Sequence, residues 1–468
     1  MMKKNVIMVL MASLCLCTMV GCGSNSASQA KEVEEKVEEK TGPAPGTQKA
    51  VGIGDDWGPA VSSPIVHFDE AIDSASVSAD TFAVSETKES FNYAALMGGE
   101  DSDVDPSEHI TVTADRKITD AYTCDENGNK TDSSEYVAIE MYYSPDEGSP
   151  FCYDILTWQN TVCNPYELEV KLADGQTLKS ADGREISEVS VDSAIDLSLD
   201  KALFPQLKGA DLTGTYTSDA GYTLTYGSYA PEDDGNKHPL VIWIHGAGEG
   251  GKQNEIAVLG NEVTALYGEE FQKVMGGAYV LTPQTETFWL TYNENGDWQD
   301  NPGVDSVYLS SLKGLIDQYV ADNENIDTDR IYIGGCSNGG YMTMDMILNY
   351  PDYFAAAFPI CEAYSDAGIK DEQLKGIKDL PTWFIYAKND TTVVPENFEI
   401  PTVARLEKMG ADVHTSVFDD VHDTTGRFTG EDGNPYQYMG HWSWLYFFNN
   451  ECEENGVNMW TWLAEQHK

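Results

Sequence analysis

Gly334-Gly335-Cys336-Ser337-Asn338-Gly339-Gly340 follows the apolar run Arg330-Ile331-Tyr332-Ile333 and precedes a segment carrying Met342, Met344, Met346, Ile347 and Leu348. This order predicts a strand, a tight turn and a helix over 341–350 that stops before Pro351. Gly335, Ser337 and Gly339 fit G-x-S-x-G, the nucleophile elbow, in which a strained turn lifts a serine hydroxyl above the edge of a sheet. The small residues answer a steric need. The turn brings the backbone before and after the serine together, so a side chain at 335 or 339 would strike the neighbouring strand or helix. A bare G-x-S-x-G also occurs in glycine-rich turns without chemistry, so the partners elsewhere in the chain decide its meaning.

Around this stretch, from Phe204 onward, strands alternate with helices. Strands are expected at 212–217, 222–229, 240–244, 279–282, 355–359, 382–386 and 412–418, and helices at 304–320 and 401–409, the second with Pro401 as its first residue and Gly410 as its stop. The unbroken apolar run Leu240-Val241-Ile242-Trp243-Ile244 suits a strand buried on both faces, and the alternation implies a mostly parallel sheet with helices on its faces. A serine hydroxyl is a poor nucleophile until a base takes its proton and a carboxylate orients that base. In this fold the chain order is serine, acid, histidine. Asp390, just beyond the predicted strand at 382–386, is the candidate acid, with Glu362, Asp419 and Asp420 as weaker ones. Two later histidines, His422 and His441, are candidate bases, and the residues alone leave that choice open. For the oxyanion, the backbone N–H of Asn338 and that of Ala247, in the loop His245-Gly246-Ala247-Gly248, are the expected donors. His245 itself is expected to be a structural hydrogen-bonder. An aromatic-rich loop over 285–302 offers Phe288, Trp289 and Trp298 as substrate-binding residues, against the alternative that they pack on the sheet.

Several of these motifs stand in an order that resembles a known family. His245-Gly-Ala-Gly-Glu, Asp329-Arg330-Ile331-Tyr332, Gly335-Cys-Ser-Asn-Gly-Gly-Tyr341, Tyr350-Pro351-Asp352-Tyr353-Phe354 and Pro359-Ile360-Cys361 resemble α/β-hydrolases of the polyhydroxybutyrate-depolymerase-like and predicted-peptidase group, related to carbohydrate esterases. The resemblance covers residues 204–468. It implies Asp390, followed by Val-Pro, as the acid, and its closing pattern of Gly-His with Ser-Trp close behind favours His441 over the runner-up His422. The residues from 424 to 439 are then an insertion near the pocket mouth.

Ahead of this region, residues 58–203 show short alternating runs such as Tyr136-Val137-Ala138-Ile139-Glu140-Met141 and Leu168-Glu169-Val170-Lys171-Leu172, separated by turns rich in Asp, Asn and Gly. They predict an all-β sandwich. Pro64-Ile-Val-His-Phe-Asp-Glu-Ala-Ile-Asp, followed by Ala79-Asp80-Thr81-Phe82, resembles bacterial immunoglobulin-like modules. No set of nucleophile, base and acid occurs there, and the module is expected either to serve as a spacer or to bind glycan or form a lid beside the second domain.

The chain of 468 residues begins with Lys3 and Lys4, an apolar stretch over 6–20 and Gly21-Cys22. That predicts a signal peptide over 1–22 whose end resembles the bacterial lipobox, with Cys22 as the lipidated residue. Residues 23–57, rich in Ser, Ala, Lys, Glu, Gly and Pro, are expected to be a disordered linker. A formal net charge of −50 weighs against nucleic acid or an anionic membrane face as partner. Membrane association is expected through the N-terminal lipid anchor only, at the extracellular face. Of the cysteines beyond the leader, Cys336 and Cys361 are expected to pack as free thiols, and Cys152 with Cys163 is the nearest candidate disulfide. The resulting expectation is an α/β-hydrolase sheet with flanking helices behind an immunoglobulin-like sandwich, cleaving carboxylic esters, small or glycan-linked, through an acyl-enzyme, with no metal or organic cofactor implied. A serine peptidase with the same machinery and a non-catalytic surface binding protein are the rivals.

Overall fold

The computed structural model describes residues 42–96, 108–291 and 304–468. The leader, Cys22, most of the linker and Trp298 lie outside the described residues. Residues 43–468 form one unit.

Its first part is a sandwich of β1 (Ala44–Asp55), β2 (Gly58–Asp73), β3 (Phe82–Ser90), β4 (Ile110–Arg116), β5 (Ile118–Cys124), β6 (Ser133–Met141), β7 (Phe151–Asp154), β8 (Gln159–Val162), β9 (Tyr166–Leu172), β10 (Leu178–Lys179), β11 (Glu185–Ile186) and β12 (Val189–Val191). One sheet runs β12-β1-β2-β6-β5, the facing one β4-β3-β9, and β7 and β8 form a separate hairpin. Phe68, Val137, Ile139, Leu168 and Val170 fill the space between the sheets, each one alternate residue of its strand. The linker expectation needs correction here, because folded chain already starts at Ala44. The β1 sequence Ala-Pro-Gly-Thr-Gln-Lys-Ala-Val-Gly-Ile-Gly-Asp has too few large apolar residues to look like a strand. It is held by backbone pairing, antiparallel to β2 and parallel to β12, with only small side chains such as Ala50 turned inward.

The second part carries β13 (Ala210–Thr217), β14 (Thr223–Tyr229), β15 (His238–Ile244), β16 (Tyr279–Gln284), β17 (Ile326–Cys336), β18 (Ala356–Ile360), β19 (Thr382–Ala387) and β20 (Val413–Phe418) in one sheet of order β13-β14-β16-β15-β17-β18-β19-β20. β14 is antiparallel to both its neighbours, and from β16 to β20 all pairings are parallel. Alternation along β15 shows why its run Leu240–Ile244 is apolar throughout. Leu240, Ile242 and Ile244 face one core layer with Leu312, Ile316, Met342 and Met346, while Val241 and Trp243 face the other with Phe358, Phe447 and Trp460. The parallel strands β15 to β20 point their C-terminal ends to one edge, where the loops that follow β15, β17 and β19 gather.

Two helix starts differ from expectation. The helix expected over 304–320 begins at Leu309 and runs to Asp322, because Ser306 N–H donates to Asp345 Oδ2 at 2.9 Å and Ser306 Oγ to the Trp289 carbonyl at 2.5 Å, which tie residues 304–308 into a loop. The helix Glu399–Met409 starts two residues before Pro401, a position in the first turn where the missing N–H costs nothing.

The two parts are joined by shared core. Trp57, in the turn between β1 and β2, is buried in the same cluster as Val258, Leu266, Phe358 and Phe447. Beside it Arg427 reaches Asp55 Oδ2 at 2.6 Å and the Tyr143 hydroxyl at 2.7 Å, and Asn449 donates to Asp56 Oδ2 at 2.9 Å. The sandwich is therefore packed into the second part at this turn, which a flexible spacer would not be.

Candidate active site

β17 ends on Cys336, and the next residue, Ser337, holds φ 55° and ψ −116° before the helix Asn338–Asn349 begins. A serine in that region is strained, by about 1–3 kcal/mol. The surroundings over-determine it: Ser337 N–H donates to the Ile360 carbonyl of β18 at 2.9 Å, and its own carbonyl accepts from Tyr341 N–H at 2.9 Å. A Cβ on Gly335 would stand 2.2 Å from the Ile244 carbonyl oxygen, and one on Gly339 2.0 Å from the same atom. Only glycine lets the turn sit this close to β15.

Two strands away, β19 delivers Asp390. Its Oδ1 accepts the N–H groups of Thr392 at 2.8 Å and Val393 at 3.0 Å, which leaves Oδ2 for His441 Nδ1 at 2.7 Å. Both side chains are buried, the carboxylate fully. With Nδ1–H donated to the carboxylate, Nε2 is the imidazole atom free to exchange a proton. Cys361 connects the pair to the elbow. Its thiol, pushed well up by burial, lies close to Cys336, to Asp390 and to the Ser337 backbone. Serine, acid and histidine thus come to the same edge of the sheet.

His422 goes elsewhere. Its Nδ1 lies 2.6 Å from Asp420 Oδ1, the side chain is 43% exposed, and Asp390 is taken by His441. Asp419 pairs with Lys388 on the surface, and Glu362 is wholly buried under the elbow, accepting Tyr364 N–H at 2.5 Å. The segment over 424–439 packs on the sandwich through Arg427 and through the Tyr436 hydroxyl, which donates to Asp146 Oδ1 at 2.8 Å.

The loop after β15 runs along the elbow. Ala247–Glu249 is a single 3-10 turn, and a Cβ on Gly246 would lie 3.4 Å from Cys336 Sγ. His245 is buried and neutral. Burial pulls its pKa down to about 4, its Nδ1 lies 2.6 Å from the Gly246 carbonyl, and its Nε2 accepts Thr285 N–H at 3.3 Å. It is a brace between two loops. Glu249, whose role sequence left unassigned, is buried beneath the loop, where desolvation pushes its carboxyl up to about 7 and Gly246 N–H bonds to it. Asn338 adds a third tie, accepting Leu290 N–H on its side-chain oxygen at 2.8 Å.

The aromatic residues divide. Trp289 is no substrate wall: its ring is fully buried, 5.2 Å from the His245 ring and 5.9 Å from that of Tyr308. Phe288, beside it, is half-buried, and Trp298 lies outside the described residues. Sequence reasoning missed a contact from the sandwich, where Asn160 of β8 donates from Nδ2 to the Gly248 carbonyl at 3.1 Å. All six cysteines among the described residues are buried free thiols, Cys152 and Cys163 included.

Comparison with known proteins agrees with this architecture. A solved thermostable esterase superposes with a TM-score of 0.67 over 90% of this chain and 99% of that one, at 23% identity. The fold is that of the α/β-hydrolases. Residues 48–187 match the family described as the esterase Ig-like N-terminal domain, so an immunoglobulin-like domain precedes the hydrolase domain. Around the elbow, residues 315–362 match the prolyl oligopeptidase family. The chain is also similar to poly(3-hydroxyalkanoate) depolymerase C of Paucimonas lemoignei, 29% identical over 31% of this chain and 36% of that protein. A second relative is acetylxylan esterase A of Emericella nidulans, 26% identical over 31% of this chain and 45% of that protein. The chain thus matches less than half the length of either relative.

Proposed function

We propose that the protein is a serine esterase that cleaves carboxylic esters, small or glycan-linked, through an acyl-enzyme on Ser337. The observation that carries this is the buried His441–Asp390 pair at 2.7 Å, set at the same sheet edge as a serine held in a strained left-handed turn. His441 Nε2 takes the proton as Ser337 Oγ adds to the ester carbonyl. Asp390 holds the imidazole in the tautomer this requires and stabilises the cation that forms. The backbone N–H groups of Asn338 and Ala247 receive the oxyanion, the first at a helix start where the peptide dipoles already favour negative charge. His441 then protonates the departing alcohol, and water, activated by the same histidine, releases the acid. The depolymerase and acetylxylan esterase likenesses support ester over peptide as substrate.

Irreversible labelling by a fluorophosphonate, lost in Ser337→Ala together with hydrolysis of ester substrates, is the expected result. Labelling that survives in Ser337→Ala would overturn the assignment, and turnover of peptides in preference to esters would replace esterase by peptidase. The same reading places the enzyme outside the cell on a lipid at Cys22, as the charged start, apolar stretch and small residue before that cysteine suggest. Radiolabelled palmitate should enter the wild-type chain and fail to enter Cys22→Ala.

A further inference from the structure

The loop that offers Ala247 rests on a carboxyl. Glu249 folds back beneath it through a slot between two glycines: a Cβ on Gly246 would stand 2.9 Å from Glu249 Oε2, and one on Gly260 2.6 Å from Glu249 Cγ. A side chain at either position would block the slot. Burying a carboxyl is costly unless its oxygens find donors. The Gly246 N–H lies beside it, and Asn261 supplies a second donor. The buried Asn261 amide has one orientation that serves both of its ends, in which Nδ2 donates to Glu249 Oε2 at 3.3 Å and Oδ1 accepts from Trp444 Nε1–H at 3.1 Å. The same amide lies 3.9 Å from the thiol of Cys336, the residue before the nucleophile.

Trp444 opens the helix Trp444–Phe448, and its ring meets the His441 imidazole edge to face, with centroids 5.8 Å apart and an interplanar angle of 88°. A row of side chains therefore runs from the oxyanion loop, past the elbow, to the catalytic base. Glu249, Asn261 and Trp444 are all buried, and the catalytic steps call on none of them. Their order answers a need of those steps. Gly246 and Gly248 leave the chain on either side of Ala247 free to turn, whereas an oxyanion donor contributes most when its direction is set before the substrate arrives. The imidazole has the same need, and Asp390 holds it at Nδ1, on one edge of the ring.

We propose that Glu249 and Asn261 are positioning residues for the ester-cleaving reaction: with Trp444 they form a relay that holds the Ala247 N–H and the His441 ring in fixed relation to each other. The inference rests on the esterase reading and deepens it with three side chains that act through the groups in contact with substrate. A break at any link leaves donor and base no longer set against each other, which slows the chemical step and spares substrate binding.

The test uses the full chain with p-nitrophenyl acetate, each variant being checked as folded at the assay temperature by circular dichroism. Glu249→Leu should lower kcat about tenfold with KM little changed. Glu249→Gln keeps an acceptor for Gly246 and Asn261 without the charge and should recover most of that loss. Trp444→Phe keeps a ring against His441 and removes only the Nε1–H, for an expected loss of about threefold. The decisive measurement is the double variant Glu249→Leu, Trp444→Phe. Glu249 and Trp444 bind opposite ends of one amide, so in a relay the second substitution adds nothing to the first, and the double variant is as slow as Glu249→Leu alone. Losses that multiply to about thirtyfold would make the two residues independent and overturn the relay. A loss carried by KM would place Glu249 in the substrate pocket, and would overturn it equally. Trp444→Phe is the mildest of these changes, and wild-type kcat in that variant alone would sink the proposal even if Glu249→Leu does not fold. A wild-type chain that is labelled at Ser337 by a fluorophosphonate but hydrolyses no ester would end the esterase reading, while labelling rates of the same variants would still decide the relay. A chain that is neither labelled nor active would overturn both.

Discussion

His441 meets Asp390 because the residue before it has no side chain. A Cβ on Gly440 would stand 2.2 Å from Asn389 Oδ1 and 2.6 Å from the Asn389 carbonyl oxygen, so the chain carrying the histidine lies directly on the chain carrying the acid. Gly440→Ala should push these segments apart and lengthen the bond between imidazole and carboxylate. Misplacement of about an ångström costs on the order of a hundredfold in rate. A fall of that size in kcat, with KM and melting temperature little changed, is expected from steady-state kinetics and thermal denaturation. Wild-type kcat in Gly440→Ala would show that the contact is looser than the structure has it. At this scale the sequence was legible where a motif fixes a residue's surroundings. The spacing of Gly335, Ser337 and Gly339 announces the turn, and a strand end followed by Asp390 announces the acid. The choice between His422 and His441 was not open to local reading, because both follow a strand and both have acidic neighbours or aromatic company. The closing Gly-His and Ser-Trp pattern of the resemblance favours His441, and tertiary folding sets that histidine 2.7 Å from Asp390. Trp289 misled for a related reason: an aromatic residue in a glycine- and polar-rich loop looks exposed, yet the loop folds back and buries it against His245.

Elements buried on both faces declare themselves, and those that act at a distance do not. The strands from β15 to β19 were readable because a strand covered by helices on each side is apolar along its buried length, and Leu240 to Ile244 of β15 are so without a break. β1 was hidden because small residues and backbone pairing hold it, and the β7–β8 hairpin because its worth lies in where it ends. Asn160 and Gly248 are 88 residues apart in sequence, and nothing near either one reports the other. That bond fixes the carbonyl two peptides beyond the Gly246–Ala247 peptide, whose N–H is the proposed oxyanion donor. Asn160→Ala should therefore loosen the donor and lower kcat by about tenfold on every ester alike, large or small, since a misplaced oxyanion donor affects the transition state and not the distal part of the substrate. Kinetics on ethyl acetate and on a larger ester would check this. A loss confined to the larger ester would mean that Asn160 acts on substrate fit and leaves the donor untouched.

Across the whole molecule the scarcity of cations shapes the seam between the domains. With 78 acidic residues against 28 Lys and Arg, few carboxyls can have a partner of their own. At the seam Asp55, Asp56, Glu262 and Asp423 gather around one guanidinium, Arg427, with Asn449 donating to Asp56. Asp55 holds the arginine. Burial, with its acidic neighbours adding to it, pushes Asp56 up to about 7 and Glu262 up to about 8. These groups are protonated in the folded chain at a pH where the unfolded chain has released its protons, near 3.8 and 4.5. Their contribution is therefore complete below those lower values and is lost as pH rises through 7 and 8. Stability to urea should fall between about pH 4 and pH 8. General repulsion in a chain of net charge −50 bends the same way, so the decisive comparison is with Glu262→Gln, which removes one titration from the seam and should flatten the slope over that range. Parallel curves for the variant and the wild type would place the pH dependence outside the seam. If the flattening is seen, the joint between sandwich and hydrolase domain is itself the proton-sensitive part of the fold.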